Sequence, residues 1–473
     1  MFKLTIKEVV SAVKGSLIAG DENIEIRGVS TDSRTIKPGE IFFALTGPNF
    51  DGNRFAGAAL KKGASAIVVN APLQLPGIPE GQPVPACFKQ GAVVYTDDVL
   101  EALGRLARYW RIMYPLPLIA VSGSCGKTTT KEMIASILRV SRTIIKTEGN
   151  MNNLIGMPLT LLGLDKRHNA AVVELGISER GEMTRLVNIC MPDVSVLTNI
   201  CEAHLKTLKN IEGVAYAKGE IFSGLKPDGI AVVNIDDPWI VKITEPVKQK
   251  KITFSLETDA VVSLKGYSKR DGIVDAQFRV RGRDIKAGIV GEGLHNLSNV
   301  ACAIAASLAV GAEEEDIVRG LGDFKPLHGR MEVIRLNNSV TVIDDTYNAN
   351  PASVESSLRS LADMKGRRIA VLGDMLELGD ASRDRHKNIG RIAGRLGLDI
   401  LFAVGEFSRD ITDGAVEVGM GCNSIMAVSN KSDAVEGIKD IISSGDILLV
   451  KGSRAAGMED VVEKLVMMAG GRI

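Results

Sequence analysis

Val121-Ser-Gly-Ser-Cys-Gly-Lys-Thr-Thr-Thr130 is the stretch on which the reading of this chain turns. An apolar run, Leu118 to Val121, feeds a glycine-bearing loop that opens a helical pattern, the order of strand, turn and helix N-terminus that a phosphate cradle requires. Gly123 and Gly126 let the backbone turn its amides toward an anion, with Ser124, Cys125 and Thr129 sharing the loop. Lys127 reaches the outer phosphates, and Thr128 offers a hydroxyl to magnesium. The stretch therefore predicts ATP binding. The usual eight-residue pattern asks for glycine where this chain has Val121, so only its Gly-Lys-Thr end fits. A glycine turn capping a structural helix is the alternative.

Working outward, 473 residues exceed one core and suggest about three domains at roughly 150 residues each. Lysine plus arginine equals aspartate plus glutamate at 57 each, so bulk charge attracts neither nucleic acid nor anionic lipid. An anionic ligand has to be held locally. The six cysteines, at 87, 125, 190, 201, 302 and 422, include no closely spaced pair of the metal or redox type and read as reduced thiols. Neither the charged N-terminus nor any later run approaches about 20 uninterrupted apolar residues. The expectation is a soluble, cytoplasmic, monomeric protein without a membrane span.

Residues 1–97 read as a small α/β unit, with β-rich runs at Ile24 to Val29, Glu40 to Leu45 and Ala66 to Val69. The proline- and glycine-rich stretch Ala71 to Pro85 is expected to be an exposed loop. In the central unit, 98–324, strands at Ala171 to Leu175, Val194 to Thr198 and Ile230 to Asn234 alternate with helices, which predicts a parallel sheet of the P-loop ATPase type. From Lys251 to Val290 the period drops to two, suggesting an antiparallel extension, before a small-residue helix follows Asn296. The last unit, 325–473, alternates again in a Rossmann-like pattern, with strands at Ser339 to Ile343, Arg368 to Leu372, Ile400 to Val404 and Asp446 to Val450. Hinges are expected near Asp98 and Phe324. In such sheets ligands sit beyond the carboxyl ends of the strands, where most polar clusters of this chain fall.

Glu174 closes one such strand and is placed for magnesium, or to cap the next turn. Asn199 and His204 follow the next strand, and a neutral imidazole there offers a metal ligand. Lys218 lies on a helical pattern, where a surface lysine is the plain alternative.

Together, Gly-Ser-Cys-Gly-Lys-Thr-Thr, Glu174, Asn199 with His204, Ala217-Lys218-Gly-Glu, His295-Asn296-Leu-Ser-Asn299, Gly329-Arg330 and Asp344-Asp-Thr-Tyr-Asn-Ala-Asn-Pro351 resemble the Mur ligase family in order and spacing, over nearly the whole chain. Thr31-Asp-Ser-Arg34, Glu148 to Pro158 and Leu372 to Gly379 look like those members that join D-alanyl-D-alanine to UDP-N-acetylmuramoyl-tripeptide. Folylpolyglutamate synthases share the centre but not these flanks. The resemblance implies phosphorylation of a carboxylate by ATP, attack by the dipeptide amine, and release of ADP and phosphate.

Such a site gathers triphosphate, carboxylate and diphosphate. At about 4 Å and an effective dielectric near 20, each like-charge pair costs roughly 4 kcal/mol, which divalent metal offsets. By resemblance two magnesium ions are expected: Thr128 and Glu174 hold one, and Glu174 and His204 approach the other. Lys127 steadies the transferring phosphoryl group. Lys218 matches the family's carbamylated lysine, a modification that turns a cation repelled by magnesium into an anion. Asn296 and Asn299 would meet adenine, Arg330 phosphate and Asp345 ribose. Tyr347, Asn348 and Asn350 would edge the dipeptide pocket, with Ser453 or Arg454 on its carboxylate. Ser30, Asp32, Ser33 and Arg34 would grip uridine and its diphosphate, and Asn152 and Asn153 the nucleotide sugar.

Capping, turn formation and surface exposure are the plain alternatives for several of these residues. Two other functions stand beside the leading one. A ligase adding the third amino acid, diaminopimelate or lysine, would usually carry an Asp-Asn-Pro-Arg-type signature, which this chain lacks. A nucleotide-gated protein that makes no bond would need Lys127, Thr128 and an acid, but neither His204 nor Lys218.

Overall fold

The computed structural model describes residues 2–71, 91–270, 273–290, 296–337 and 339–469. The expected loop from Ala71 to Pro85, Ala71 apart, lies outside the described residues, as do Cys87 and His295.

Three sheets carry the chain, and the fold is α/β as expected. The first has five strands in the order Ser16–Ala19, Ala92–Tyr95, Ala66–Val69, Glu40–Phe43, Gly28–Ser30, parallel except for Ser16–Ala19. The central sheet has nine, in the order Ile144–Lys146, Ala170–Glu174, Leu118–Ser122, Val194–Leu197, Ile230–Asn234, Lys250–Ser255, then Val262–Arg270, Ile273–Val280 and Arg283–Val290. The third has six, in the order Glu332–Arg335, Thr341–Asp345, Ile447–Lys451, Arg368–Gly373, Ile400–Val404, Ile425–Val428, with only Glu332–Arg335 antiparallel.

Leu118–Ser122 and Ala170–Glu174 are buried at every position, because helices cover both faces. Lys127–Arg139 covers one face through Met133, Ile134, Ile137 and Leu138, together with the alanine-rich helix Asn296–Ala309. The opposite face shares a continuous apolar layer with the first sheet, in which Phe2 meets Trp110 at 4.5 Å between ring centroids. Two further apolar layers flank the third sheet. Among the described residues no helix is long and apolar enough to cross a membrane.

The period-two segment from Lys251 needs a correction. Lys250–Ser255 still runs parallel to Ile230–Asn234, and antiparallel pairing begins only between Val262–Arg270 and Ile273–Val280. Ile252 and Phe254 are buried while Lys250 and Lys251 are exposed. One covered face yields alternation whichever way a strand runs.

Register then sets the site. Val121 pairs with Glu174 and Ser122 with Leu197, so the phosphate loop leaves the sheet between an acid and the Thr198–His204 turn. In the third sheet Asp345 and Leu372 both pair with Lys451.

Candidate active site

A cavity of about 690 Å³ opens between the carboxyl ends of the central and third sheets. The phosphate loop forms one wall. Its two glycines are required: a Cβ on Gly123, at φ 145°, would lie 1.9 Å from Thr198 Oγ1, and one on Gly126, at φ 76°, 2.2 Å from Asn299 Oδ1. Lys127 Nζ donates to the carbonyls of Gly123 at 2.9 Å and Ser124 at 3.2 Å, so the lysine lies folded on its own loop. Asn199 Oδ1 accepts from the Cys125 amide at 2.9 Å, and Thr198 Oγ1 donates to the Cys125 carbonyl at 2.5 Å. Ser124 is buried, and its hydroxyl bonds both backbone groups of Cys201. Thr129 lines the cavity.

Glu174 is 2% exposed, yet faces the cavity. Asn152 Nδ2 donates to its Oε1 at 2.8 Å, whereas its buried Oε2 has no partner among the described residues. The Glu174 amide donates to Thr147 Oγ1 at 3.0 Å, and Thr147 is held in turn by Lys131 at 2.6 Å. Asn152, expected on a sugar, thus aims the carboxylate. Asn153 bonds the Ile155 and Gly156 amides at the start of Gly156–Leu162 and stands at the rim.

Lys218 is not the surface lysine of the plain alternative. It is 1% exposed on the helix Ile211–Gly219, behind the cavity wall, and its side chain makes no hydrogen bond among the described residues. Burial, reinforced by the neighbouring Lys127 charge, brings its ammonium down to about 7. His204 sits at φ 52°, with Nδ1 2.6 Å from Glu377 Oε2. The contact holds the Glu377 carboxyl below its ordinary value. Glu377 reaches His204 from the third-sheet layer, as Arg385 reaches Glu202 at 2.6 Å.

Arg330 spans the cavity. Its Nη2 donates to Thr128 Oγ1 at 2.8 Å, and its guanidinium lies 3.9 Å from the centre of the Tyr347 ring, with that of Arg454 at 5.8 Å. Asp345 accepts from Lys451 at 2.5 Å and from Ser357 at 2.6 Å. Lys451 also donates to the Asn348 carbonyl at 3.0 Å. Asn350 caps the helix Pro351–Ala362 through the Ser353 amide and touches the Cys125 sulfur. Asn299 bonds Thr130 and Asn296, fastening the alanine-rich helix to the loop.

The cavity thus brings together Ser124 to Thr129, Asn152, Asn153, Glu174, His204, Asn296, Asn299, Arg330, Asp345, Tyr347, Asn348, Asn350 and Arg454. Gly123, Lys218 and Ser453 support it from behind. Ser453 is buried between the Leu376 amide and the Ala349 carbonyl. Ser30, Asp32, Ser33 and Arg34 stand elsewhere, in and after the edge strand Gly28–Ser30. There Arg34 grips Asp32 with two nitrogens, lowering that carboxyl to about 2. Ser30 turns back on Asp32 through a backbone bond. Lys451 and Glu377 are functional neighbours without an assigned role in the sequence. Lys451 was visible as the polar end of an apolar strand, and Glu377 lies inside the stretch Leu372 to Gly379 that carried the resemblance, without a role of its own there.

Matches to family models cover most of the chain: the Mur ligase family, catalytic domain over 25–111, the Mur ligase middle domain over 121–307, and the Mur ligase, glutamate ligase domain over 329–454. The UDP-N-acetylmuramoyl-tripeptide--D-alanyl-D-alanine ligases of Bacillus subtilis and Escherichia coli are each 34% identical to it, across 98% of this chain and 99% of theirs. The chain belongs to the Mur ligase family. A crystal structure of MurF from Acinetobacter baumannii superposes on this Mur ligase with a TM-score of 0.90 at 31% identity, covering 98% of each chain. A MurF ligase from Thermotoga maritima in complex with ADP gives 0.80 at 27%, covering 94% of this chain and 98% of that one.

In this Mur ligase the donor set fits magnesium. A buried carboxylate oxygen without a partner is costly unless a cation satisfies it, and among the described residues Glu174 Oε2 is such an atom, in the cavity that Thr128 also lines. Lys127, Arg330 and Lys451 supply positive charge around the space left for phosphates.

Proposed function

We propose that this Mur ligase joins D-alanyl-D-alanine to UDP-N-acetylmuramoyl-tripeptide with hydrolysis of ATP to ADP and phosphate. The observation that carries this reading is the end-to-end likeness, 34% identity over 98% of the chain, to ligases that bear that name. The cavity supports it, since a phosphate loop, a buried acid and a cationic far wall enclose one space.

The peptide carboxylate attacks the terminal phosphorus of ATP, an oxygen–phosphorus bond forms, and the bond to ADP breaks. The dipeptide amine then attacks the acyl carbon and loses a proton. The tetrahedral intermediate collapses to the amide and expels phosphate. Lys127 leaves the Gly123 and Ser124 carbonyls for the phosphates, and Arg330 exchanges Thr128 for the same anions.

Thr128 and Glu174 would hold one magnesium, and Glu174, His204 and carbamylated Lys218 a second. When bound, the ions neutralise the gathered negative charge. With its ammonium brought down to about 7, Lys218 presents a neutral amine near neutral pH, the form that adds to carbon dioxide. Asn296, Asn299, Arg330 and Asp345 would take the nucleotide. Tyr347, Asn348, Asn350, Ser453 and Arg454 would take the dipeptide. Ser30, Asp32, Ser33, Arg34, Asn152 and Asn153 would take the UDP-linked substrate, which would have to bridge edge strand and cavity. Residues 1–97, 98–324 and 325–473 would act as three units in a monomer.

Phosphate release by the purified protein decides the matter: it should require ATP, the nucleotide tripeptide and D-alanyl-D-alanine together. Equal release without either peptide substrate, or turnover of a nucleotide dipeptide with free diaminopimelate or lysine, overturns the proposal.

A further inference from the structure

The apex of the phosphate loop carries a sulfur that ligation does not use. Cys125 Sγ lies 3.6 Å from Cys201 Sγ, although 76 positions separate the two in the chain. Both residues line the cavity and are partly exposed, whereas Cys190 and Cys302 are buried. The two backbones are already strapped together. The Ser124 hydroxyl donates to the Cys201 carbonyl at 2.9 Å and accepts from its amide at 3.0 Å, while Thr198 and Asn199 bond the Cys125 backbone. Bringing the sulfurs from 3.6 Å to the roughly 2.05 Å of a disulfide asks for about 1.5 Å, within reach of side-chain torsion.

The surroundings divide the pair into nucleophile and partner. The two sulfurs share a hydrogen bond, and Asn350, Lys127 and Lys451 favour negative charge on Cys125, so the Cys125 thiol is pulled below its ordinary value while the shared bond and burial push that of Cys201 up. The more acidic thiol faces a second thiol at contact distance, the arrangement that oxidises first and stops at a disulfide.

We propose that Cys125 and Cys201 form a reversible disulfide when a hydroperoxide reaches the cavity, and that this bond shuts off nucleotide binding. Cys125 sulfur attacks a peroxide oxygen: a sulfur–oxygen bond forms, the oxygen–oxygen bond breaks, and with hydrogen peroxide the leaving hydroxide departs as water. Cys201 sulfur then attacks the sulfenic sulfur, the sulfur–oxygen bond breaks, and the Cys201 proton leaves with the hydroxyl as a second water. Two electrons pass from the two sulfurs to the peroxide. A dithiol reverses the step by exchange. The bond pins the loop in the arrangement where the Cys125 amide is occupied by Asn199 and Lys127 is folded onto Gly123 and Ser124. Bound nucleotide and oxidation therefore oppose each other.

The inference rests on the loop being the ATP site, and the test separates the two. Full-length protein carrying Cys422→Ser, which removes an exposed thiol, is treated with hydrogen peroxide, peptide-mapped, and titrated with ATP before and after dithiothreitol. The expected result is a 125–201 cross-linked peptide lighter by two hydrogens, roughly tenfold or more weaker ATP binding, and recovery on reduction. ATP added first slows the cross-link. In Cys201→Ser protein, dimedone captures the Cys125 sulfenic acid and no cross-link forms. Peroxide-treated protein without the 125–201 peptide, or cross-linked protein that binds ATP as the reduced form does, overturns the inference. Reduced protein that fails to bind ATP refutes the ATP-site reading instead, and with it the shut-off, while the cross-link is scored on its own.

Discussion

Lys218 concentrates the chemistry at the scale of single residues. A buried ammonium without a hydrogen-bonding partner among the described residues is a cost that folding alone does not require, and the neutral amine it favours near pH 7 is the precursor of a carbamate. Lys218→Ala should lower turnover by roughly two orders of magnitude or more, with partial recovery in millimolar acetate or another small carboxylate, which occupies the vacated space as an anion. Steady-state phosphate release checks this, and undiminished activity without added acid would sink it. Lys218→Met should raise Tm in buffer free of carbon dioxide, because an apolar chain of similar volume replaces a desolvated amine. A lysine that merely stabilised the fold would give the opposite sign.

Among the elements, the phosphate loop and the helix Ser382–Arg395 make contrasting demands. Gly123→Ala puts a methyl into Thr198 Oγ1 at a φ of 145°, a strain of about 1–3 kcal/mol. ATP affinity should therefore fall by roughly tenfold or more while Tm drops only a few degrees, measured by titration and calorimetry. His386, in the other helix, is buried against Phe407 with ring centroids 4.4 Å apart. Its Nδ1 donates to the Ser382 carbonyl at 2.7 Å, and its Nε2 accepts from the Met375 amide at 2.8 Å. Only the neutral ring does both. Burial accordingly lowers its pKa from the ordinary 6.5. Because the unfolded chain binds the proton more readily, stability is undiminished above pH 6.5 and is lost as pH falls below it. Melting curves between pH 7 and 5 should show that loss, and His386→Gln should flatten it. An unchanged slope in the variant would rule His386 out as its source.

For the molecule as a whole, the central and third sheets meet through polar side chains at the cavity, whereas the first and central sheets share an apolar layer. A hinge at Asp98 would have to work against packing such as Phe2 on Trp110. Near Phe324 the joints are polar: Arg330 with Thr128, Glu377 with His204 and Arg385 with Glu202. Partly exposed ion pairs such as the last two contribute about 0.2–1 kcal/mol each, enough to bias closure without locking it. Arg385→Ala should leave Tm within a degree or two, raise KM for ATP roughly twofold to fivefold, and increase the radius of gyration in solution scattering. A variant identical to wild type in both KM and scattering would show that this pair does not govern closure.

The sequence by itself determined the phosphate loop, the parallel α/β architecture and the order of the polar clusters. Strand, turn and helix start are local events, written in apolar periodicity and in glycines that only a few conformations suit. Asn350, expected only at the edge of the dipeptide pocket, also caps the helix Pro351–Ala362. Only the tertiary structure decided which clusters meet. Arg330 reaches Thr128 over 202 positions, Cys125 finds Cys201 over 76, and Lys451 finds Asp345 over 106. It also set Asn152 to aiming Glu174 and left Ser30 to Arg34 at the end of an edge strand and in the turn after it, outside the cavity. Periodicity reports that a face is covered, not what covers it or which way the strand runs, as Lys250–Ser255 illustrates. Sheet register and packing between layers supply that information, and they arise from contacts between residues far apart in the chain.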